Sequence, residues 1–347
     1  MMLLTIALSL LSYSSPDTSA SHLLVGSYTK QGNPGIEIID SRTRKTVDSI
    51  QQKQASYQAL SANQRYLFSI HEEVGRQGAV SSYKQEKGTF SRLSTQLTQG
   101  DGPCHVLFRE SSKTVYVSNY LGGNLSVFQT KAGYLQPISQ NIVYPKPSNA
   151  HLAAVMPDGK HLVVTDLGAD KIHVHDLQRN GLVSTNYKDV ILPERTGPRH
   201  LVFNKTGDIA YVLGELSGTV DVFRIHANEF THVQRVQIDK SLGNPKHASA
   251  DIHLSPDGKW LLASNRITEN SICVLAVLPS GELKEHRVFP VGKIPRNFQF
   301  DPSGRYVYVA SQSENRIQKF EFSQGDLRDT EEDIEVKQPV AILFLKK

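Results

Sequence analysis

A β-propeller of seven blades is the fold class that the sequence predicts, and three observations predict it. One unit of about fifty residues recurs six times. Each copy reads as short strands separated by tight turns. The two ends of the chain carry complementary fragments of a seventh copy.

The repeat is visible in "SANQRYLFSI" (61–70), "ESSKTVYVSN" (110–119), "MPDGKHLVVT" (156–165), "NKTGDIAYVL" (204–213), "SPDGKWLLAS" (255–264) and "DPSGRYVYVA" (301–310). Its anchor residues are Arg65, Lys113, Lys160, Asp208, Lys259 and Arg305, spaced 48, 47, 48, 51 and 46 residues apart. Each unit opens with a short strand such as "HLVF" (200–203). A turn rich in Pro, Asp, Ser and Gly follows, residues that favour tight reversal. A second strand ("YVYVAS", 306–311) leads through a polar loop to an alternating third ("GTVDVFRI", 218–225) and a weaker fourth ("FTHVQRVQI", 230–238). No convincing helix interrupts this pattern. Four antiparallel strands repeated radially make a propeller.

The ends set the blade count. "HLLVGSYT" (22–29) and "GIEIID" (35–40) match second and third strands with no first strand before them. "PVAILFL" (339–345) matches a first strand with nothing after it. The C-terminal strand is therefore expected to complete the first blade, which removes free sheet edges. Residues 21–347 read as one propeller domain. Residues 1–20 read as a secretory signal, because Met1–Leu11 is apolar, too short to span a bilayer, and followed by the small residues Thr18-Ser19-Ala20. That reading implies a periplasmic or secreted protein; the alternative is a cytoplasmic one.

Composition narrows the function. Apolar residues are 39% and charged residues 21% of the chain, as in a soluble globular core. A net charge of +4, with no like-charge run interleaved with aromatics, argues against a nucleic-acid partner. No later segment is apolar for long enough to be a membrane helix. Cys104 and Cys273 each sit in an apolar strand, so they read as buried free thiols. Neither has metal-ligand spacing, and no metal or other cofactor is expected.

Aligning the units exposes polar residues with no packing reason. The starts of the innermost strands are Gln58, His105, His151, His200, Asp251, Asn297 and Ala341, and one residue earlier stand Arg199 and Arg296. Just past the second strands come Glu72, Tyr120, Leu167, Glu215, Arg266 and Gln312. The first two strands of a blade run antiparallel, so these two sets meet at one mouth of the channel. Arg199 and His200 are expected to rim a polar pocket there with Glu72, Glu215, Arg266 and Arg296. Arginine forks suit an anionic, oxygen-rich small molecule. A solvated channel would also tolerate some of these residues at little cost.

"GPRHLVF" through "AYVLGELSGTVDVF" (197–223), "ADIHLSPDGKWLLASNR" (250–266) and "IPRNFQFDPSGRYVYVASQ" (294–312) resemble the seven-bladed propeller lactonases. That family includes propeller-type 6-phosphogluconolactonases and 3-carboxy-cis,cis-muconate lactonizing enzymes. WD40 and Kelch patterns are absent. The resemblance implies a site formed by His151, Arg199, Glu215 and Arg266. It departs at Asn149, where many relatives carry His, and at Gly214, where Asn is common.

The implied activity is hydrolysis of a sugar-acid lactone, with an anionic lactone or its hydroxy acid as the small-molecule partner. Either Glu215 or His151 is the base, and Arg199 and Arg266 polarise the carbonyl or hold anions. His105, His200, Arg296, Glu72 and Lys293 are expected to bind substrate. No GxSxG nucleophile motif is present. The alternatives are a muconate-type lactonisation and a propeller that binds ligand without chemistry.

Overall fold

The recurring turn closes the first hairpin of a blade through its own polar side chains. In "SPDGKW" the Trp260 N–H donates to Ser255 Oγ at 3.0 Å and the Lys259 N–H to Asp257 Oδ1 at 3.1 Å. Gly258 takes φ +73°, a left-handed conformation that strains other residues. Trp260–Asn265 then returns antiparallel to Ser249–Leu254.

The computed structural model describes residues 22–240 and 248–345. Among them the strands form seven antiparallel sheets, six of four strands and one of five. The blades begin at Gln58–Leu60, Pro103–Arg109, Ala150–Val155, Pro198–Phe203, Ser249–Leu254, Pro295–Phe300 and Pro339–Leu345. These seven are the inner strands and pack against one another around the channel. We number the blades from the one that holds His22–Ser27, whose inner strand is Pro339–Leu345. Its register runs from His22 opposite Leu345 to Gly26 opposite Ala341, which closes the ring as the sequence predicts. In the seventh blade a short strand, Ile334–Glu335, adds to the third strand Arg316–Ser323. The only helical element among the described residues is a 3₁₀ turn, Gln312–Glu314, too short to leave a pattern in sequence. No helix of the described residues is long and apolar enough to cross a membrane. The segment read as a secretory signal lies outside the described residues.

The core lies between blades. Leu261 and Ala263 pack on blade five with Tyr211, Leu213 and Val222, while Leu262 between them packs on blade seven with Phe298 and Val309. Both faces of the strand are therefore covered, which explains why it reads as nearly continuous apolar sequence. Cys273 belongs to one of these interfaces, and Cys104 packs with its Sγ 3.2 Å from the His151 carbonyl; both thiols are free and buried.

Candidate active site

The inner strands do not alternate simply. In blade five Pro198 pairs with Gly214 and His200 with Leu213, leaving Arg199 as an extra, unpaired residue. A bulge of this kind re-aims side chains. Here it turns two consecutive residues, Arg199 and His200, into the interior, each 4% exposed. Bulges at the same place leave Cys104 and Arg296 unpaired in blades three and seven. The bulge of blade five is held from blade four, where Thr165 Oγ1 donates to the Arg199 carbonyl at 2.7 Å. Arg199 and His200 thus lie beneath the mouth instead of rimming it.

Glu215 follows the second strand of blade five, and its N–H donates to the Gly197 carbonyl at 2.8 Å. Gly214 before it has no room for a side chain, since a Cβ would stand 2.3 Å from Ser217 Oγ and 2.8 Å from the Thr196 carbonyl. Close packing thereby explains the glycine at this position. The Glu215 carboxylate bridges two guanidinium groups. Its Oε2 is 2.8 Å from Arg199 Nε and its Oε1 3.2 Å from Arg266 Nη2. The Arg199 Nε–H is not aligned on that carboxylate, so the contact is an ion pair without a hydrogen bond. Arg266 is anchored by its Nε–H, which donates to the Ala248 carbonyl at 2.9 Å.

A second carboxylate–arginine group stands on blades one, two and seven. Tyr28 Oη donates to Glu72, 3.0 Å from both oxygens, and the Arg296 guanidinium lies over the Tyr28 ring and 3.8 Å from Glu72 Oε1. Beneath both groups are the rings of Tyr57, His105, His151 and His200. His200 is 5.2 Å from His151 and 6.2 Å from His105, centroid to centroid, and Tyr57 is 4.4 Å from His105. His105 Nδ1 accepts the Ala153 N–H at 3.4 Å. His151 Nδ1 is buried without a partner, and Tyr120 stands edge-on to that ring.

Burial sets the charge state of this floor. It pushes His105 and His151 well below the ordinary imidazole value, and the nearby Arg199 adds to the effect on both. Burial and Arg199 together take His200 down to about 4 despite its carboxylate neighbour Asp251. Burial alone would raise Glu215, but Arg266, Arg199, Arg296 and His200 overcome it and hold the carboxyl below its usual range. The site therefore presents neutral imidazoles under an ionised carboxylate and its guanidinium partners.

The four residues His151, Arg199, Glu215 and Arg266 come together, as do His105, His200, Arg296 and Glu72 around them. Lys293 does not join them. It is exposed, and its neighbours are Ser313 and Glu314 of its own blade. Two tyrosines, Tyr28 and Tyr57, belong to the site and are absent from the sequence-derived candidates, and Tyr120, which the sequence places just past a second strand, joins them. Tyr28 directly follows the second strand of blade one, the place that Glu72, Tyr120, Glu215 and Arg266 occupy in theirs. The position after each second strand is the signal that would have found it.

Fold and site define a seven-bladed propeller with a polar, guanidinium-rich end to its channel. Residues 22–344 match the family model described as "Lactonase, 7-bladed beta-propeller", and the chain belongs to that family. It is 33% identical over 322 residues to a 6-phosphogluconolactonase of Formosa agariphila, covering 85% of this chain and 90% of the relative. It is 31% identical over 343 residues to the 6-phosphogluconolactonase of Bacillus subtilis, covering 92% and 97%. The structure of the periplasmic gluconolactonase of Pseudomonas aeruginosa superposes with a TM-score of 0.86 at 29% identity, covering 94% of this chain and 99% of that one.

Proposed function

We propose that this protein hydrolyses the lactone of a sugar acid, in the manner named for its 6-phosphogluconolactonase relatives. The observation that carries the reading is the Glu215 carboxylate held between Arg199 and Arg266. Glu215 is the solvent-reaching member, 21% exposed at its side chain, while the two arginines are buried. Water entering from the mouth meets the carboxylate first, so Glu215 is the base in this reading. Its oxygen takes one water proton as the hydroxide oxygen bonds to the lactone carbonyl carbon. Negative charge develops on the carbonyl oxygen, where Arg199 and Arg266 neutralise it. The ring C–O bond then breaks, the proton passes to the leaving alkoxide, and a hydroxy acid results. His151 Nδ1 is free to hydrogen-bond a substrate hydroxyl. Arg296 and Glu72 face the sugar chain or its terminal anion.

The test is proton release from a panel of aldono-δ-lactones, phosphorylated and not, measured against spontaneous opening. At least one lactone is expected to open faster than its uncatalysed rate. Binding of the hydroxy acid with no acceleration of any lactone would replace the enzyme reading with a binding propeller. The pH dependence follows from the site's charges. The three buried histidines stay neutral as pH falls through about 6.5, the ordinary imidazole value. Glu215 stays ionised below the ordinary value of about 4.3. We therefore expect kcat/KM to be level through pH 6.5 and to decline only on further acidification. A limb at 6.5 would show that an ordinary imidazole carries the proton.

Residues 1–20 lead us to place the protein outside the cytoplasm, where the Pseudomonas aeruginosa relative is also named as residing. Intact mass of natively expressed protein should show cleavage near Ala20. Retention of Met1 in a cytosolic fraction would reverse this.

A further inference from the structure

We propose that Asp251 and His200 form a relay that fixes the orientation of Arg199, which makes His200 a positioning residue and not a ligand for substrate. The kinetic part of this inference rests on the lactonase reading; the geometric part does not.

Asp251 is buried on the inner strand of blade six and accepts five donors. Oδ1 takes His200 Nδ1 at 2.8 Å and the Ile252 N–H at 3.0 Å. Oδ2 takes His253 Nε2 at 3.0 Å, Asn297 Nδ2 at 2.5 Å and the Phe298 N–H at 3.3 Å. A carboxylate so surrounded is ionised and accepts only. The His200 proton therefore sits on Nδ1, and Nε2 carries a lone pair. Arg199 Nη1 lies 3.1 Å from that Nε2. A guanidinium can only donate, so the direction of this bond is fixed as well. Arg199 Nη1 also donates to the Ala250 carbonyl.

Both Nη1 protons are thus engaged, which leaves Nε, 2.8 Å from Glu215 Oε2, and Nη2 for other partners. Glu215 alone does not set this orientation, because the Arg199 Nε–H is not aligned on it. The relay is itself braced across the ring closure: Asn297 Oδ1 accepts the Ile342 N–H at 2.8 Å from the closing strand of blade one. The groups that face His200 are Arg199, Asp251 and the rings of His105, His151 and Tyr57. Both of its nitrogens are occupied, so it has none to offer a substrate. Donors aimed in advance at developing charge are the ones that accelerate a reaction, and a small misplacement removes the benefit.

The experiment begins with the unaltered protein. Nitrogen-15 NMR of His200 at neutral pH is expected to show Nδ1–H with an unprotonated Nε2. A proton on Nε2 overturns the relay. Next, His200→Phe removes the acceptor but keeps a ring, and His200→Gln returns an amide oxygen towards Arg199. With glucono-δ-lactone, kcat of the Phe variant is expected to fall about 10- to 100-fold, the scale of a roughly 1 Å misplacement, with KM little changed. The Gln variant should retain about tenfold more turnover than the Phe variant, since it restores the acceptor on which the placement depends. A crystal structure of the Phe variant should show the Arg199 guanidinium displaced from the Ala250 carbonyl. An unmoved Arg199, or equal loss in both variants, overturns the proposal. If the unaltered protein opens no lactone, the lactonase reading fails, while the tautomer and the Arg199 position still decide the relay. If the Phe variant does not fold, the tautomer and the structure of the Gln variant decide it.

Discussion

Chains that end at Gln338 are expected not to fold cooperatively. The missing strand, Pro339–Leu345, is the inner strand of blade one. Val340, Ile342 and Leu345 are each 2% exposed there. Burying an aliphatic side chain of this size contributes about 1.5–3 kcal/mol. Three of them outweigh much of a total stability of about 5–15 kcal/mol. Truncation also uncovers the edge of His22–Ser27, an invitation to aggregate, and removes the Ile342 N–H that braces Asn297. Thermal and urea unfolding followed by circular dichroism check the expectation. A truncated chain with a cooperative transition within a few degrees of the full one would show that closure at this strand is dispensable.

Closure was legible because it depends on a repeat, and a repeat is visible wherever every blade must solve the same packing problem. "PVAILFL" could be recognised as an inner strand from its likeness to "GPRHLVF". The same logic found the polar residues of the site, since structural positions recur in every blade and these do not. It failed at the bulges. Period-two alternation sends neighbouring residues to opposite faces, so nothing in the sequence says that Arg199 and His200 both turn inward. Lys293 shows the converse. It stands three residues before Arg296 and has the right charge, but the chain between them passes through Ile294 at φ +57° before the bulge turns Arg296 inward. Lys293 stays outside. Tyr28 was missed because blade one is split, and the anchor that numbers the other blades is absent from it. The role of His200 was hidden for a different reason. It depends on which nitrogen meets Asp251, and only coordinates supply that.

Replacing Arg199 or Arg266 with Ala is expected to lower kcat by about 10²–10³, the scale for losing one donor to a developing oxyanion. The two arginines flank one carboxylate, so each serves a second purpose in balancing its charge. Glu215→Gln separates the two purposes. It keeps the shape, removes the acceptor for the water proton, and leaves two buried guanidinium groups without their counter-charge. Breaking a buried pair from one side costs about 3–5 kcal/mol, so the melting temperature should fall. A base would be lost as well, and turnover should drop in the fraction that remains folded. The affinity for an anionic hydroxy acid should rise, because the site has gained one positive charge. Loss of turnover with tighter product binding is the signature of a catalytic carboxylate. A purely structural carboxylate gives the lower melting temperature and the tighter anion binding, with kcat per folded molecule unchanged. Arg266→Ala runs the comparison in the opposite sense. It removes positive charge, so both turnover and hydroxy-acid affinity should fall, and a variant that loses only affinity assigns Arg266 to holding a remote anion instead of the reacting carbonyl.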